Sequence, residues 1–113
     1  MMSSPVYLPH LATVTSFRLF YGDFLTLQDS HIHAHLRKRG RNSLFPIEMS
    51  FIEVEGDHYD GGNILEQEDT SIINGTVAGS DDLWIWVRFE VNATGSYLRF
   101  YGCQVEYAVS TVQ

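Results

Sequence analysis

The sequence has almost no cysteine. Cys103 stands alone among 113 residues, which excludes an internal disulfide and any thiolate metal cluster. A solitary Cys in a strand serves most often as a small apolar filler. Basic groups are also scarce: 7 Lys and Arg stand against 14 Asp and Glu, for a net charge of −7. A molecule of that sign repels nucleic acid and anionic membranes, so neither is expected as a partner. No apolar run approaches the length of a membrane span, and membrane insertion is not expected. No apolar stretch follows a basic start, so no signal peptide is read. Long helical repeats of Ala, Glu, Leu and Lys are missing, as are a phosphate-binding glycine loop and a nucleophile elbow around any serine. These absences argue against the commonest enzyme classes, and no cofactor is expected. Of three prolines, Pro5 and Pro9 lie near the start. Residues 1–12 therefore read as an extended arm, and residues 13–113 as a single domain.

What is present favours sheet. Hydrophobic residues make up 44% of the chain, with seven Phe, six Tyr and two Trp, types that suit a pleated, half-buried surface. Residues 13–23, "TVTSFRLFYGD", alternate and put Thr15, Phe17, Leu19 and Tyr21 on one face. "SHIHAHLRKR" alternates Ile32, Ala34 and Leu36 with histidines. "FPIEMSFIEVE" is a further strand, whose mixed pattern around Ser50 suggests a bulge. "ILEQED" fits one helical turn, and "TSIINGTVAG" a short strand. "DDLWIWVRFEVN" alternates without a fault: Leu83, Ile85, Val87, Phe89 and Val91 on one face, Trp84, Trp86, Arg88 and Glu90 on the other. In "YLRFYGCQVEYAV" the apolar parity slips near Gly102, where a bulge is expected. Several short strands with no credible helix predict an all-β fold, an antiparallel β-sandwich of jelly-roll or Greek-key type.

The two ends of the chain resemble a small all-β domain common in proteins of environmental bacteria. That domain opens with Leu-Pro-x-Gly-Ala-x-Val-Thr and an aromatic strand closed by Asp, and ends with Leu-x-Leu-Tyr-Gly-Val-x-Ile-x-Tyr. Here Leu8-Pro9-His10-Leu11-Ala12-Thr13-Val14-Thr15 carry the opening, and Leu98, Phe100-Tyr101-Gly102 and Val105-Glu106-Tyr107 the close. Leu11 stands where the domain has Gly, and the three histidines have no counterpart. The resemblance implies a β-sandwich and a non-catalytic role, and carries over no functional residues.

Three clusters are candidates for function. On a strand, His31, His33 and His35 point to one face at intervals of about 7 Å. Two of them, with a third ligand from a neighbouring strand, suit a borderline metal such as zinc. All three on one straight strand cannot reach one ion. A histidine-rich metal-dependent cupin is the enzymatic comparison, but it places Glu after its His-x-His pair where this chain has Leu36-Arg37-Lys38-Arg39, and such positive charge disfavours a cation. The same histidines suit a protonation-sensitive contact near pH 6 to 7, or an ordinary solvated strand face. Trp84, Trp86 and Arg88, with Tyr97, are expected to form an interface or ligand platform on the face away from the obvious core, the alternative being the inner face of a second layer. The acidic stretch with Glu53, Glu55, Asp57 and Asp60 offers oxygens but not the spacing of a calcium loop. Asn74-Gly75-Thr76 and Asn92-Ala93-Thr94 fit the glycosylation sequon.

Charge is uneven along the chain. Arg37, Lys38, Arg39 and Arg41 form a basic cluster, and seven acids lie between Glu53 and Asp69. The expected function is therefore a non-enzymatic structural or interaction module that assembles with itself, as a trimer or larger array. It would belong outside the cell, at a bacterial surface, or in a virion, where a capsid or surface protein is a further partner. The alternatives are a carbohydrate-binding module that takes a glycan on Trp84, Trp86 and Tyr97, and a small cupin-like metal-dependent enzyme.

Overall fold

The computed structural model describes residues 2–23, 30–40, 43–55, 64–78, 81–91 and 98–109. Eight strands are formed: β1 (Met2–Val6), β2 (Ala12–Asp23), β3 (Ser30–Arg39), β4 (Ile47–Glu55), β5 (Leu65–Asp69), β6 (Thr76–Val77), β7 (Asp82–Val91) and β8 (Leu98–Ala108). Among the described residues there is no helix. One antiparallel sheet has the order β1-β7-β3-β4. In the other, β8 runs along one side of β2 from Thr13 to Asp23, while β5 and β6 share the opposite side. The two sheets face each other across one core, as in a β-sandwich.

The core follows from alternation. Ile32, Ala34 and Leu36 of β3 are fully buried, with Leu83 and Val87 of β7 beside them and Met49, Ile52 and Val54 from β4. The second sheet contributes Val14, Phe17, Leu19, Tyr21 and Val77, and partly buried Leu65, Cys103 and Val105 pack against them. Burial pushes the Cys103 thiol up to about 12, which fits an inert filler rather than a reactive group.

Both expected bulges are present. In the β3–β4 ladder, Leu36 pairs with Ser50 but Arg37 pairs with Glu48, so Met49 is the extra residue. Met49 and Ser50 are thereby both turned inward. The Ser50 hydroxyl is satisfied there by donating to Asp69 Oδ2 at 2.5 Å, and Asp69 Oδ1 accepts from the Ser71 amide. In the β2–β8 ladder, Phe20 pairs with Gly102 and Tyr21 with Phe100, which makes Tyr101 the extra residue. Gly102 has φ 150°, a conformation that L side chains resist.

Three readings of the sequence are corrected. Thr15 is exposed and Val14 takes its place in the core, because a second bulge between Val14 and Ser16 shifts the parity of β2 by one residue. Residues 65–69 form strand β5 rather than a helical turn, since pairing with Phe17–Tyr21 outweighs weak local propensity. The start of the N-terminal arm is itself a strand: Met2–Val6 pair with Leu83–Val87 of the same chain. Pro5 sits in this edge strand, where a missing donor is tolerated.

Candidate functional site

The strand order places β3 between β7 and β4, so the face that turns away from the core collects three rows of side chains. The middle row is His31, His33, His35 and Arg37. Across β7, His33, His35 and Arg37 meet Arg88, Trp86 and Trp84, and across β4 they meet Glu53, Phe51 and Glu48. The sheet register thus joins two clusters that the sequence lists separately, the histidines and the tryptophans, and adds acidic residues from β4. Tyr97, Asp57, Asp60 and the second sequon lie outside the described residues.

Half of this face is an aromatic and imidazole stack. The His35 ring lies 4.7 Å from Phe51 and 4.9 Å from Trp86, centroid to centroid. The Arg37 guanidinium sits 4.9 Å from the centre of the Trp86 ring, in cation–π contact. Arg37 Nε also donates to Glu48 Oε2 at 2.8 Å, and His35 Nδ1 donates to Glu48 Oε1 at 2.7 Å. Burial pushes the His35 imidazole below its ordinary range, against the pull of Glu48 and aided by Arg37 and His33. The surroundings of His35 thus favour its neutral form. Trp84 and Trp86 are half-buried, and Phe51 is 45% exposed.

The other half is a histidine–carboxylate cluster. His33 is 8% exposed although it faces outward, because His31, Phe51 and the neighbouring strands hem it in. The rings of His31 and His33 are 6.0 Å apart, and those of His33 and Phe51 5.8 Å. His33 Nδ1 lies 3.2 Å from Glu53 Oε2. One ligand atom from each of His31, His33 and Glu53 falls within 4.8 Å of the others. His31 Nδ1 is buried and has no hydrogen-bond partner among the described residues. Of the histidines expected to bind a metal, two converge and His35 is engaged elsewhere. The third ligand is Glu53, from the neighbouring strand.

Of the basic cluster, Arg37 stays against the histidine row, one guanidinium nitrogen lying 3.3 Å from His35 Nδ1, while Lys38 and Arg39 reach other groups. Arg37 is held by Glu48 and Trp86, Lys38 Nζ donates to the Thr76 carbonyl at 2.7 Å, and Arg39 lies 3.9 Å from Asp82. The outer face of the opposite sheet has another character. There Arg18 is ringed by Glu66, Glu68 and Glu106, with Glu66 at 3.4 Å and Glu106 at 3.2 Å.

No protein-family model, curated protein or solved structure matches this chain.

Proposed function

We propose that the protein is a non-enzymatic structural or interaction module, a β-sandwich of jelly-roll or Greek-key type that assembles with copies of itself. Its setting would be a bacterial surface, the extracellular space or a virion. The observation that carries this reading is the outward stack of Trp86, His35 and Phe51. It is a partly exposed aromatic strip in the middle of a sheet face, flanked by charged residues. An aromatic centre with a charged surround is how association surfaces are commonly built. A second copy suits it by charge. The β4 row carries Glu48 and Glu53 while the β7 row carries Arg88, so a copy rotated half a turn about the strand direction sets Arg88 against the acidic row. The pairing of strands remote in the chain, β1 with β7 and β2 with β8, supports the Greek-key assignment.

A glycan platform has less support. A sugar stacks on a free ring face, and Trp86 is already flanked by Arg37 and His35.

Light scattering over a concentration series tests the proposal. The wild-type chain is expected to form oligomers, a trimer or larger, and Phe51→Glu to weaken association at least about tenfold by placing a charge in the strip. A wild-type chain that stays strictly monomeric at high concentration overturns the reading.

A further inference from the structure

We infer that His31, His33 and Glu53 form a binding site for one divalent transition-metal ion of the zinc class. Two imidazole nitrogens and one carboxylate oxygen are a donor set of borderline hardness, suited to zinc, cobalt or nickel rather than calcium or magnesium. The geometry arises from elementary sheet rules. Residues 31 and 33 share a face because they are two apart on β3, and Glu53 is the direct partner of His33 on β4. Three ligand atoms then meet within 4.8 Å.

The spacing is close to what an ion needs. With metal–ligand bonds near 2.0 Å, two ligands on a tetrahedral centre lie about 3.3 Å apart, and His33 Nδ1 and Glu53 Oε2 are already 3.2 Å apart. A histidine–glutamate pair alone would account for that contact, but not for His31. Its Nδ1 is buried with no hydrogen-bond partner among the described residues, a condition that is unfavourable when nothing compensates it. The nitrogen belongs to a residue whose ring already sits in the cluster. Glu53 is exposed, so the cluster is reachable from solvent and a fourth position is left for water or another ligand.

Electrostatics permit the ion. The sequence suggested that Arg37, Lys38 and Arg39 would repel it, but Arg37 is paired with Glu48, Lys38 donates to the Thr76 carbonyl, and Arg39 lies 3.9 Å from Asp82. Arg88 is the cation placed nearest by register, opposite His33 on β7, and it faces the β3 row from the side away from Glu53. The site is independent of self-association, since all three ligands come from one chain.

The test uses tag-free protein titrated with Zn²⁺ in a calorimeter and with Co²⁺ in a spectrophotometer. One equivalent per chain is expected, with Co²⁺ giving the visible bands of a low-coordinate site and Zn²⁺ raising the melting temperature. His31→Ala and Glu53→Gln are expected to weaken binding at least about tenfold and to abolish the thermal shift. His10→Ala, remote in sequence from the cluster, is expected to leave both unchanged. His31 and Glu53 are chosen over buried His33 because their replacement leaves the core intact, and far-UV circular dichroism confirms folding. Binding far below one equivalent, or equal affinity in folded Glu53→Gln and wild type, overturns the inference.

Discussion

Leu11 shows how one residue can be legible in the sequence and still be missed. It has φ 63° in a turn closed by the Ala12 amide donating to the Pro9 carbonyl at 3.0 Å. The left-handed region costs a residue with a Cβ about 1–2 kcal/mol, and glycine almost nothing. Leu11 is also 48% exposed, so its side chain returns little in packing. Leu11→Gly is therefore expected to stabilise the chain by about 0.5–1 kcal/mol, after allowing for glycine's greater freedom when unfolded. Urea denaturation measures this as a higher midpoint. The histidines are the converse case. Their shared face was readable from spacing alone, whereas the third ligand was not. Glu53 stood in the sequence as part of an acidic stretch, and only the cross-strand register makes it the neighbour of His33.

At the level of elements, strands with unbroken alternation were read best from the chain: Ile32, Ala34 and Leu36 of β3 and Leu83 and Val87 of β7 are inward as expected. Alternation fails where one strand has an extra residue. At Gly102 and near Ser50 the failure was visible, as a slip in apolar parity and as a polar residue among apolar ones. At Thr15 it was hidden, because threonine is acceptable on either face. β5 was missed for another reason: "LEQED" has no strong strand former beyond Leu65, and its state is set by its partner β2. The bulge at Tyr101 is the element with the clearest mutational signature. A Cβ at Gly102 meets nothing within 4 Å, so only the backbone angle opposes it. Gly102→Ala is expected to destabilise by about 1 kcal/mol or more, read as a lower urea midpoint with unchanged slope. A neutral result would mean that the bulge relaxes.

At the level of the whole molecule, the two outer faces differ in kind. One carries tryptophans, imidazoles and glutamates, and on the other, among the described residues, Arg18 sits among glutamates. Which residues of different strands share a face was not readable from the chain, because that depends on strand order. Folding speed also belongs to this scale. The pairs Thr13–Ala108 and Asp23–Leu98 join distant parts of the chain, and such non-local ladders close slowly because the intervening loop must be ordered first. Stopped-flow refolding is expected in the millisecond-to-second range, and a microsecond phase carrying the full amplitude would contradict this.

The partnership of β1 with β7 and of β2 with β8 also bears on synthesis. A ribosome delivers β1 and β2 well before their partners β7 and β8. Until those arrive, the nascent polypeptide holds Phe17 and Leu19 without a lid and strand edges without neighbours. Production in a host should thus depend on holdase chaperones, and on translation continuing through β8.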